Sequence, residues 1–205
     1  MAVFAVSAKL TPTEGAMWTR SQAVWVVRCL CLTMTLLEDL SLDELTPVRL
    51  WSALDQPTRV QAAEALFEGD PSLRGQAHEA IAAALRFRVG GVRKLSVGKR
   101  VDYLARVVRP EHELASSLLM ALHLGRRQDL LRSFLDELSI PNEDGLIDGE
   151  HELGAVEAAA LGSAVAAVRT RFDATEVDLY MASLLALDPD VWGALAPLLQ
   201  VGAAD

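Results

Sequence analysis

Along most of the chain, apolar residues recur every three or four positions, the period of a helix with one buried face. Val97, Val101, Leu104 and Val108 form one stripe, and Leu114, Leu118, Leu119 and Leu122 form a second. Leu130, Leu131, Phe134, Leu135 and Leu138 form a third. No alternating run argues for a sheet; Leu85 to Val89 comes nearest, and it continues a helix equally well. The pattern predicts about nine helices, over 46–55, 57–68, 71–88, 97–108, 110–124, 126–139, 150–172, 174–187 and 189–200.

Start and stop signals bracket these segments. Ser41 with Glu44, and Asp173 with Glu176, have the spacing of a capping box. Thr46-Pro47, Asp70-Pro71 and Asp188-Pro189 each put an N-cap residue before a proline suited to the first helical position. Gly69, Gly90-Gly91, Gly125 and Gly202 are expected to stop helices, because a left-handed residue there is cheap for glycine. Pro110 and Pro141 force further breaks.

The fold class is therefore all-α, a compact multi-helix bundle with antiparallel neighbours. Within 150–172, Gly154, Ala158, Gly162 and Ala166 share one i, i+4 row, a pattern that lets backbones approach closely. This Ala/Gly-rich segment is expected to be the central buried helix. Glu-His-Glu-Leu occurs at 111–114 and again at 150–153, but no sustained period accompanies it, so a bundle is preferred to a solenoid.

Residues 34–205 are read as one helical domain, with 34–139 and 150–205 as subregions joined by a polar loop. Residues 1–33 look foreign to it. They hold both cysteines, Cys29 and Cys31, and two of the four tryptophans. The apolar run Ala23–Leu37 is interrupted by Arg28 and falls short of the ~20 residues a comfortable membrane span needs. An over-extended gene start ranks first, a docked amphipathic helix second and a membrane segment third.

Composition agrees with a helical globular chain: 51% hydrophobic, 23% charged and 5% aromatic. Charge adds something new, because the net −9 is segregated. Residues 74–132 carry 12 Lys/Arg against 5 Asp/Glu, between acidic flanks that carry 2 against 8 (34–73) and 2 against 14 (133–205).

Arg86, Arg88, Arg93, Lys94, Lys99, Arg100, Arg106 and Arg109 fall close together, opposed only by Asp102. Such a cluster attracts phosphates, anionic lipid or an acidic protein surface. Arg93, Lys94, Lys99, Arg100 and Arg106 are the candidate anion-binding residues. The competing expectation, preferred by a narrow margin, is that these cations pair with the acidic flanks of the same fold. Gly91 to Arg100 is not a phosphate-binding loop, since six residues separate its glycines and Arg100 follows the lysine.

No other constellation carries chemistry. His78, His112, His123 and His151 show no ligand spacing, and Asn142, Glu143, Asp144 and Asp148 fit no EF-hand register. There is no Gly-x-Ser-x-Gly elbow, and no cysteine follows Met34. No residue is assigned a catalytic, cofactor-binding or metal-ligating role. The leading expectation is a cytoplasmic, non-enzymatic module acting by protein–protein contact, with an unidentified protein partner and no membrane span. The alternative is an anion-binding protein that uses 86–109 on nucleic acid or a phosphorylated ligand, with nucleic acid the less favoured partner. The third is an enzyme with a carboxylate site of unfamiliar pattern.

Overall fold

Thr46 opens the first described helix, as its position before Pro47 suggests. Its hydroxyl accepts from the Arg49 N–H at 3.3 Å, and Pro47, which has no N–H to lose, takes the first helical position. The computed structural model describes residues 45–69, 71–147 and 154–200. They form α1 (Pro47–Ala53), α2 (Gln56–Glu68), α3 (Leu73–Leu85), α4 (Val89–Arg93) and α5 (Val97–Arg106). α6 (His112–Arg126) and α7 (Gln128–Glu137) follow, then β1 (Asn142–Glu143) and β2 (Leu146–Ile147). The chain continues with α8 (Ala158–Arg169), α9 (Ala174–Leu187), α10 (Pro189–Trp192), a 3-10 turn (Gly193–Leu195) and α11 (Ala196–Gln200). The all-α class is right. The division at residue 33, the cysteines, the Ser41 box, Asp70 and Gly202 lie outside the described residues.

Side-chain caps fix several starts. Asp55 accepts from Thr58 N–H at 2.9 Å, Ser96 from Lys99 N–H at 3.4 Å and Asp188 from Val191 N–H at 3.2 Å. Asp173 accepts from both Thr175 and Glu176 N–H. α3 departs from expectation. It begins at Leu73, so Pro71 precedes the helix instead of opening it.

The stops differ more. Gly69 does end α2, but at φ −75° and not in a left-handed conformation. Gly90 and Gly91 lie inside α4, a short helix the apolar period did not foretell. α3 stops earlier, where Arg86 takes φ +55° and Phe87 N–H reaches back to Ala82 C=O at 2.9 Å. α7 closes the same way: Ser139 has φ +56° and Ile140 N–H bonds Leu135 C=O at 2.9 Å. Both are Schellman turns built without glycine. Gly125 lies within the last turn of α6, where a Cβ would stand 2.9 Å from that of Ala65. Its role is to let α6 cross α2 closely.

Among its described residues the Ala/Gly-rich segment is helical only over α8, and residues 154–157 run non-helically into it. Val156 N–H bonds Val191 C=O at 3.3 Å, which ties this approach to α10. The row chosen for close packing faces the other way: Gly154, Ala158 and Ala166 are exposed, and a Cβ on Gly162 would meet nothing within 4 Å. α8 buries Leu161, Ala164, Val165 and Val168 instead. A tight contact at Gly162 is thus replaced by an open helical position. Gly162→Ala should stabilise the protein by up to ~1 kcal/mol through helix propensity, seen as a higher denaturation midpoint at unchanged slope. A loss of stability would show that the position is crowded.

At the C-terminal end one expected helix is two, joined by the 3-10 turn. Pro197 supplies the reason, because it has no N–H to offer Gly193 C=O and so breaks the α-helical ladder there.

α2 packs against α5 and α6, α3 against α4 and α5, and α1 against both α6 and α9. α7 meets α8, and α9 meets α10 and α11. Buried apolar side chains from Leu50 to Leu199 form one continuous cluster, with Trp51, Phe134 and the second stripe's four leucines at its heart. No helix among the described residues is long and apolar enough to cross a membrane.

Candidate anion-binding face

From Arg86 to Lys99 the only buried residue is Val92. Val89 and Leu95 are half-buried and every other residue in this stretch is exposed. α4 is therefore held by Val92, with Val89 packed at the edge of the core, and otherwise lies along the surface. The run 86–101 contains no acidic residue. Five of its cations, Arg86, Arg88, Arg93, Lys94 and Lys99, are exposed and have no ion pair among the described residues.

Among the described residues, five carboxylates of the acidic flanks are paired with other cations. Arg126 on α6 meets Glu68 at 2.9 Å and Glu64 at 3.7 Å. Arg127 reaches Glu176 at 3.4 Å, Arg169 meets Asp178 at 2.5 Å and Arg171 meets Glu137 at 2.7 Å. All these cations lie outside 86–109. The expected pairing of the basic segment with the flanks is not found among the described residues. Its only ion pair among the described residues is local, between Arg106 and Asp102 one turn apart at 2.5 Å.

Of the five candidates chosen from sequence, Arg93, Lys94 and Lys99 fall on the open face. Arg106 is exposed but held by Asp102. Arg100 is turned inward: Nη1 lies 2.7 Å from His78 Nε2, and the guanidinium carbon sits 5.1 Å from the centre of the Phe67 ring. It pins α5 to α2 and α3 by a hydrogen bond and a cation–π contact. Arg86 and Arg88, left off the candidate list, belong to the face. Their place in the acid-free stretch 86–101 was the signal for them.

The contact from Arg100 also fixes the state of His78. A guanidinium only donates, so Nε2 must accept, and the ring is neutral with its proton on Nδ1. Burial, followed by the positive charges of Arg100, Arg93 and Arg74, holds His78 below the usual histidine range. The positive field of this region is thus felt by a neighbouring side chain.

Arg109 stands apart. It lines a groove of about 730 Å³ between α3 and the α5–α6 connection, where Glu79, Glu111 and Glu113 accompany it. Those carboxylates offset its charge, so the open positive stretch is 86–99.

The acidic loop after α7 is a packed hairpin. Asn142 pairs with Ile147 and Glu143 with Leu146, across a two-residue turn in which Asp144 has φ +52° and Gly145 φ +83°. Positive φ at both central residues is the type I′ turn that Asp-Gly favours, a signal the helical reading passed over. Asn142 Oδ1 accepts from Gly145 N–H at 3.1 Å, and its Nδ2 donates to Asp136 at 3.1 Å. Asp148 and His151 lie outside the described residues. The described residues hold no group of three or more His, Cys, Asp or Glu placed to bind a metal ion.

No protein-family model, curated protein or solved structure matches this chain.

Proposed function

We propose that the protein is a cytoplasmic, non-enzymatic helical module that binds a polyanion through residues 86–99. One observation carries this reading: five exposed cations in an acid-free run have no ion pair among the described residues, while the flank carboxylates that do pair there meet other cations. Unpaired surface charge of one sign is the usual footprint of anion recognition and electrostatic steering. It moves polyanion binding ahead of protein–protein contact, for which no comparably specific feature stands out.

Heparin provides a test that is neutral as to the natural ligand. The full-length protein should bind it at about 50 mM salt, with affinity falling steeply as salt rises and counterions are released. Arg88→Gln, Arg93→Gln, Lys94→Gln and Lys99→Gln combined should weaken binding at least tenfold and flatten the salt dependence. The melting temperature should hold within about 2 °C, because exposed substitutions usually change stability by under ~0.5 kcal/mol. Absence of heparin binding by the parent protein, or unchanged binding by the variant, would overturn the proposal.

A further inference from the structure

Five large apolar side chains among the described residues are exposed, and three of them, Phe87, Val97 and Val107, belong to the basic segment 86–109. Phe87 is 55% exposed and lies between Arg86 and Arg88; Val97 is 51% exposed and lies two residues before Lys99. The valine stripe anticipated for α5 is buried from Val101 onward, so Val97 is the residue of that stripe left outside. Isolated exposed apolar residues are ordinary. Their coincidence with cations that have no ion pair among the described residues is what points to a ligand.

The kinds of polyanion make different demands. Duplex nucleic acid meets a protein mainly through phosphates and base edges, where cations and hydrogen-bonding groups suffice. Single strands want a series of aromatic rings for stacking. Here Phe87 is the sole exposed aromatic of the described stretch 86–109, for Tyr103 is half-buried, and valines do not stack on bases. A bilayer carrying anionic lipid asks for both features present: cations at the phosphates and apolar side chains at the headgroup boundary. The acidic remainder of the chain would orient the basic stretch toward such a surface.

Resting on the polyanion-binding reading above, we infer that the polyanion is the anionic surface of a lipid bilayer. Residues 86–99 lie against it, with Arg86, Arg88, Arg93, Lys94 and Lys99 at the phosphates and Phe87 and Val97 entering the headgroup boundary. In the cytoplasm this is the inner leaflet, whose surface potential is negative.

The test compares the full chain with Phe87→Ser and with Arg93→Gln/Lys94→Gln. Sedimentation is measured with vesicles of phosphatidylcholine alone and of phosphatidylcholine mixed with phosphatidylserine, beside titrations with heparin, duplex DNA and single-stranded RNA at the same salt. The protein should sediment with the phosphatidylserine vesicles only, and salt should release it. Each neutralised cation should lower partitioning about fivefold, so the double variant should lose more than tenfold. Phe87→Ser should lower vesicle partitioning severalfold while leaving heparin affinity and the melting temperature unchanged, since its ring is largely in solvent. Equal partitioning of Phe87→Ser and parent would overturn the lipid assignment. So would tighter binding to DNA or RNA than to the vesicles, which assigns the face to nucleic acid. Heparin binding with no vesicle binding also sinks the lipid assignment alone, whereas no binding to any of these probes sinks the polyanion reading beneath it.

Discussion

Phe134→Ala should cost about 3–5 kcal/mol, the range for deleting a fully buried aromatic ring. Phe134 is wholly buried on α7 and makes an edge-on contact with Tyr180 of α9, centroids 5.6 Å apart at 88°. Trp192 of α10 lies 6.0 Å from it, and Tyr180 in turn lies 5.2 Å from His123 of α6. Four helices therefore share one row of rings, and an alanine leaves a void touching three of them. Chemical denaturation should show a much lower midpoint with little change in slope. Phe134→Leu keeps most of the volume and should cost markedly less. Similar losses for the two variants would mean that burial alone matters at this site, without close ring packing.

Acid should destabilise the protein well before its carboxylates titrate, chiefly through His123. Ser183 Oγ donates to Leu179 C=O at 2.7 Å, which uses its only proton, so it must accept from His123 Nε2–H at 2.8 Å. His123 is then neutral, and its buried Nδ1 has no partner. Charging the ring would bury an unpaired donor close to Arg127. Burial, and secondarily the charge of Arg127, lower its pKa from 6.5 to about 3.

The sign follows from that depression. The unfolded chain takes up the proton near pH 6.5 and the folded one does not, so stability is full above that pH. It falls by about 1.4 kcal/mol for each unit below it, until the folded-state pKa is reached. Between pH 6.5 and 4.5 the loss from His123 alone is on the order of 2 kcal/mol. His78 is depressed as well and adds in the same direction. His123→Gln keeps an N–H for Ser183 but cannot titrate. Its stability, followed by urea unfolding from pH 7 to 5, should fall less steeply than the parent's by about one proton. Parallel curves would show that His123 does not carry the effect.

Helix content was legible because stripes such as Leu114, Leu118, Leu119 and Leu122, or Leu130, Leu131, Phe134 and Leu135, all face the core. Starts were legible where an oxygen-bearing side chain caps the next turn, as at Thr46, Asp173 and Asp188. Stops were less so: Gly69 ends α2 as expected, but the left-handed positions went to Arg86 and Ser139, which no propensity rule selects. Gly125 is set by Ala65, a neighbour about sixty residues away in sequence, and Gly162 faces solvent; spacing alone cannot tell the two apart. The basic segment was legible as charge but not as geometry. On a helical projection Arg100 falls roughly 70° from the centre of the Val97–Val108 stripe, near enough to turn inward once Phe67 and His78 offer a ring face and an acceptor. Whether the remaining cations found acidic partners depended on contacts between distant segments, where composition gives no guidance.

The Schellman turn at Arg86 records a compromise. At φ +55° a residue with a Cβ is disfavoured by about 1 kcal/mol relative to glycine. A chain selected for stability alone would place glycine or asparagine there. Arginine gives up that increment and gains a cation at the very start of the exposed run, beside Phe87. Arg86→Gly would relieve that cost and remove one cation from the exposed run, so stability and surface charge can be separated at this position, where the arginine side chain has no ion pair among the described residues.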